Sequence, residues 1–126
     1  MSDEKTPGGT DFVVSGTPPI LRTAQADGFP ANAVLDAALA DANSLAASHM
    51  NYGTSWKKRG GVGAFMMAAR KWDRLELAVG KYDYNIFRAV EGDKRAEGIM
   101  DDIRDLRRYL LLIEAEVGSK VPEVKK

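Results

Sequence analysis

Apolar side chains recur along most of this chain at three- and four-residue intervals, and β-branched alternation is essentially missing. The pattern predicts an all-α protein: a small helical bundle of about four helices. A first helix is expected over 30–48. Pro30 suits its first position, and Val34, Leu35, Ala38, Leu39, Ala42, Leu45 and Ala46 share one face. A second is expected over 62–79, opened by Gly60, Gly61 and Gly63 and stopped by Gly80. A short third covers 83–91. A fourth starts near Asp93 or Lys94 and ends by Val117, with Gly118 as its stop. Its Ile99, Ile103, Leu106, Leu110, Ile113 and Val117 form a bundle seam. Before the helices, 1–19 reads as an irregular arm rich in Gly and Pro, pinned by Phe12, Val13, Val14, Ile20 and Leu21. After them, 118–126 reads as a frayed tail.

Acidic residues interrupt this pattern. On a wheel of about 100° per residue with Val62 as origin, Asp73 falls near 20° and Glu76 near 320°. Both lie inside the arc of Phe65, Met66, Ala69 and Leu77. On the fourth helix, with Ile99 as origin, Asp102 falls near 300° and Asp105 near 240°, on the flank that also holds Tyr109 and Leu112. Gly98 opens space one turn before Asp102, and Asp101 lies nearby, further toward solvent. Buried carboxylates need a partner. Four of them converging would repel one another, and a divalent cation relieves that repulsion. The metal shell expected on this reading is Asp73, Glu76, Asp102 and Asp105, with Asp101 in reserve. The alternative is neutralisation by Arg70, Arg74, Arg104 or Arg108 in structural ion pairs.

Composition narrows the chemistry. The chain has 126 residues, one domain's worth, with no cysteine and a single histidine, His49. Disulfides, zinc–cysteine sites and cysteine catalysis are excluded. A bound metal would need an oxygen shell, which suits Mg2+ or Mn2+. Net charge is zero, which argues against tight nucleic-acid binding. That zero is an average. From Lys57 to Arg88 eight basic residues face three acidic ones, whereas 91–105 holds six acids and three bases. Arg70 is the best placed of these bases to meet a phosphate, and Lys57, Lys58 and Arg59 are either phosphate contacts or a solvated loop. The 49–56 stretch carries what a base pocket needs. Tyr52 or Trp56 would stack, Asn51, Thr54 or Ser55 would hydrogen-bond, and His49 is either a ligand contact or a helix-end histidine. Trp72, Met66 and Met67 read as packing, Met66 the more inward.

These stretches resemble the all-α nucleoside triphosphate pyrophosphohydrolase superfamily, the MazG-like fold. Within it they are most similar to the phage-associated nucleotide-modification domain. The resemblance rests on His49-Met50-Asn51-Tyr52-Gly53-Thr54-Ser55-Trp56, Arg70-Lys71-Trp72-Asp73-Arg74 and Asp102-Ile103-Arg104-Asp105 with the Leu106–Leu110 segment behind it. It spans roughly 45–114. The family pattern is Glu-x-x-Glu followed by Glu-x-x-Asp, and here Asp73 and Asp102 stand where glutamate is usual. The resemblance implies metal-dependent hydrolysis of a nucleoside or deoxynucleoside triphosphate to the monophosphate and pyrophosphate. Glu76 or Asp105 would act on the attacking water, and His49, Asn51, Tyr52, Trp56, Lys57, Arg70, Arg74 and Tyr109 would contact substrate. It also implies a homo-oligomer, a dimer or tetramer, and a chain this short has few layers with which to close a deep pocket. A non-catalytic bundle that binds a nucleotide or a partner is the rival reading. No apolar run is long enough for a membrane span, and the polar start, with Asp3 and Glu4, lacks the features of a secretion signal. A cytoplasmic location is expected.

Overall fold

The computed structural model describes residues 18–120. Five α-helices follow one another: α1 Ile20–Ala26, α2 Ala31–Tyr52, α3 Gly60–Gly80, α4 Ile86–Gly92 and α5 Ile99–Lys120, with a 3-10 turn Ser55–Lys57 before α3. Among the described residues there is no strand, and no helix is long and apolar enough to cross a membrane. The protein is all-α, a small helical bundle. Two compact units divide it, Met1–Ser44 and Leu45–Lys126.

The first unit holds α1 and most of α2. The apolar pattern does not predict α1, which begins directly after the stretch expected as an irregular arm, with Pro19 at its N-cap in a helical conformation. Ile20 is exposed and Leu21 half-buried, and the expected anchors Phe12, Val13 and Val14 lie outside the described residues. The helix expected over 30–48 continues to Tyr52, so His49, Asn51 and Tyr52 sit on its last turns rather than in a loop. Asp41, on α2, is buried.

The second unit is built on α3 and α5, which pack against each other, with α4 across one end. Its core is Leu75 and Val79 of α3, Ala89 of α4 and Ile99 of α5. Ile86, Val90, Ile103 and Leu106 pack around them. α3 turns toward α5 the face that holds Ala64, Ala68, Leu75 and Val79. Small alanines at two of these positions let the helix backbones approach closely.

The ends of the helices explain their boundaries. α3 is not stopped by a left-handed Gly80. That backbone region is taken instead by Asp83 (φ 56°) and Tyr84 (φ 64°), and the Tyr84 amide donates to the Val79 carbonyl at 3.1 Å. Asn85 caps α4 by accepting from the Arg88 amide at 3.2 Å. α5 starts later than the apolar pattern predicts, because Asp93 acts as a cap from six residues upstream of Ile99. It accepts from the Ile99 amide, while Asp101 reaches back to accept from the Gly98 amide at 3.0 Å. The space beside Gly98 is therefore not an opening for a metal. The Asp93 carboxylate occupies it, where a Cβ at 98 would collide with it. At the other end α5 runs on through Gly118 to Lys120, so the first residues of the expected tail are helical.

Candidate functional site

The acidic residues expected to form one shell lie on two sides of α3. Asp102 is inward, as its wheel position predicts, and only 1% exposed. Its Oδ1 accepts from Arg74 Nε at 2.9 Å, and Arg95 Nη2 stands 4.0 Å from its Oδ2. That Oδ2 is buried without a hydrogen-bond partner. Asp105 pairs with Lys71 at 3.0 Å and Asp101 with Arg104 at 2.9 Å. The Arg104 hydrogen bond, followed by the Gly98 amide, holds the Asp101 carboxyl below the usual range. Arg95 and the Ile99 amide do the same for Asp93, more strongly.

Asp73 and Glu76 depart from expectation. Both are exposed and border a shallow groove with Leu77, Gly80, Lys81 and Tyr84. The arc of Val62, Phe65, Met66 and Leu77 that contains them faces away from the core. Met66 and Trp72, expected inside, are about half exposed (50% and 51%). The cause is the alanine-rich opposite face, which makes the contact with α5.

A divalent cation is thus poorly served within one chain. Asp102 Oδ2 makes no hydrogen bond, but the Arg95 guanidinium 4.0 Å away already offsets its charge. Its neighbours Asp101 and Asp105 are each held by a basic side chain, and Asp73 and Glu76 lie elsewhere. Among the described residues no three His, Cys, Asp or Glu side chains come together as a metal site. The residues chosen as a shell do not assemble into one here. Arg74, expected at substrate, is instead the partner of Asp102 and also donates to the Glu97 carbonyl at 3.3 Å.

A different site lies at the opposite end of the α3–α5 pair. A cavity of about 760 Å³ opens where the 52–61 segment meets the C-terminal turns of α5. Tyr52, Trp56 and Phe65 supply aromatic surface and Thr54 and Ser55 hydroxyls. Lys57, Lys58 and Lys120 bring positive charge to it. Gly60, with φ 76°, turns the chain into α3, and no side chain caps that helix. Its first amides have no side-chain acceptor. Glu116 stands between two of the lysines, 2.7 Å from Lys57 Nζ and 2.9 Å from Lys120 Nζ. Lys57, then Lys120, holds the Glu116 carboxyl below its ordinary value.

Of the residues expected to contact substrate, Tyr52, Trp56 and Lys57 line this cavity. His49, Asn51, Arg70, Arg74 and Tyr109 do not. His49, Asn51 and Arg70 are exposed, and Tyr109 is half-buried. Glu116 and Lys120 are not expected at a site from the sequence, and Phe65 and Ile113 read there only as packing positions. The antiparallel return of α5 brings the α5 residues to the loop, and nothing local in the sequence signals that meeting. No family model, no curated protein and no solved structure matches this chain.

Proposed function

We propose that this chain binds a nucleoside or deoxynucleoside triphosphate in the cavity at the start of α3. The supporting observation is the composition of that cavity. Aromatic faces for a base, hydroxyls for a base or sugar, and lysines beside uncapped helix amides for phosphate surround one space of about 760 Å³. That volume lies within the range of small-molecule sites, about 300–1,000 Å³. The carboxylate of Glu116, clasped by Lys57 and Lys120, occupies the position a phosphate oxygen would take.

The catalytic form of this reading is the one implied by the resemblance to the MazG-like pyrophosphohydrolases. It is hydrolysis to the monophosphate and pyrophosphate with Mg2+ or Mn2+, in a cytoplasmic protein of phage type. Its candidate metal ligand Asp102 lies about 20 Å along α5 from the Glu116 end of the cavity, too far to act on a triphosphate bound there within one chain. The non-catalytic form, a nucleotide-binding bundle, is favoured by the ion pairs of Asp101, Asp102 and Asp105 with Arg104, Arg74 and Lys71.

Titration of canonical and modified triphosphates, followed by tryptophan fluorescence, tests binding. The expected result is saturable quenching that Lys57→Ala weakens about tenfold, the loss of one charge-assisted contact. No quenching by any triphosphate at millimolar concentration would reject the proposal. Pyrophosphate release with and without EDTA separates its two forms. Metal-dependent release abolished by EDTA supports catalysis, and binding without release supports the other form.

A further inference from the structure

The cavity at the start of α3 is poor in the groups that hold a metal and rich in those that replace one. Lys57 Nζ and Lys120 Nζ approach the same oxygen, Oε2 of Glu116, at 2.7 and 2.9 Å. Two ammonium groups are thereby set around a single anionic atom. Lys58 adds a third ammonium to the lining, and among the described residues Glu116 is the only acid there. Further carboxylates are out of reach. Between Asp41 and Asp73 the chain has no Asp or Glu, and every lining residue outside α5 comes from that stretch. On α5, Glu114 falls about 200° around the helix from Glu116 and does not line the cavity. Asp101, Asp102 and Asp105 stand about 16–23 Å back along the same helix.

We infer that this cavity takes its polyphosphate free of metal, with the lysines rather than Mg2+ neutralising the phosphates. The inference rests on the triphosphate reading above and refines it. Protein sites hold Mg2+ through carboxylates together with substrate phosphates, and the ion keeps several of its waters. Here a hydrated Mg2+ carried in on the phosphates would enter between two ammonium groups. Like charge would face it on both sides, and the carboxylate at hand is already bound to those lysines. The ion would also cover phosphate oxygens that the lysines need and cancel two of the negative charges that draw the ligand in. A metal-free triphosphate offers those oxygens directly to Nζ donors, each contact a charge-assisted hydrogen bond. The Mg2+ or Mn2+ implied by the family resemblance therefore does not fit the donor set of this cavity.

On this inference Mg2+ competes with the protein for the ligand. Tryptophan fluorescence of the full chain reads it, with Trp56 in the lining as reporter. Adenosine triphosphate is titrated once in EDTA and once with Mg2+ in excess over the nucleotide, at matched ionic strength so that plain screening is equal. Affinity should be about tenfold or more weaker with Mg2+, the loss of at least one charge-assisted contact. Lys120→Ala, on the exposed last turn of α5, should keep the wild-type circular dichroism and weaken binding in EDTA about tenfold. Equal or tighter binding with Mg2+ would overturn the inference and leave the triphosphate reading standing. Binding in EDTA that is indifferent to Lys120→Ala would overturn it too, because the lysines would then not carry the phosphates. No quenching in either buffer would reject the triphosphate reading itself, and the inference with it.

Discussion

The two ends of the α3–α5 pair solve opposite problems. At the end nearest α4, the carboxylates of Asp93, Asp101 and Asp102 meet helix amides or guanidinium groups, and the glycine at 98 lets Asp93 close against the backbone. At the far end, charged and aromatic groups surround a cavity, and α3 begins without a side-chain cap. One end spends its polar groups on holding helices together. The other leaves them open to exchange partners. The difference shows why acidity alone is a poor guide to a site: the densest acids of this chain sit where they are most fully engaged in structure.

Substitutions should therefore separate into two classes. The largest loss of stability is expected for Leu75→Ala, which empties the core at the closed end and should cost about 3 kcal/mol in urea denaturation. Asp102→Ala should cost about 2 kcal/mol. It leaves Arg74 without its buried acceptor, but Arg74 is half exposed and solvent recovers part of the loss. Gly98→Ala should cost about 1–2 kcal/mol, because the added methyl drives the Asp93 carboxylate off its cap. At the open end Glu116→Gln should change stability little and tighten triphosphate binding several-fold, since it releases Lys57 and Lys120. If Glu116→Gln instead unfolds the chain, the cavity end is structural too and the comparison fails.

The smallest effect is one of pH. Asp93 and Asp101 have folded pKa values below their unfolded ones, so they stabilise α5 fully above about pH 4. That contribution is lost as pH falls through the folded values. Helicity followed by circular dichroism between pH 5 and about pH 2 should fall, and the fall should be shallower in Asp93→Asn.

Much of this fold is legible in the sequence. The helical periods locate the long helices, and the wheel of α5 correctly turns Asp102 inward with Ile99. The wheel of α3 finds a real stripe and assigns it the wrong side. The error has a physical source. Val62, Phe65, Met66 and Leu77 look like core because they are large, whereas the face that packs is led by Ala64 and Ala68. Small side chains gain stability from backbone approach, which hydrophobicity does not register. The start of α5 is also hidden, because Asp93 caps it from outside the helix. The pairing of Lys57 with Glu116 joins residues 59 positions apart, and only the turnback of the chain brings them together.

Glu116 has one more consequence. A ligand entering between Lys57 and Lys120 must displace a charge already seated there, so entry is an exchange rather than a filling of empty space. A singly charged anion would gain little over the resident carboxylate. A ligand carrying several negative charges could hold both lysines and the first amides of α3 at once, while Glu116 swings out to water. On the proposed reading the carboxylate would work as a threshold on valence, ranking ligands by how many charges they bring before any aromatic side chain met a base.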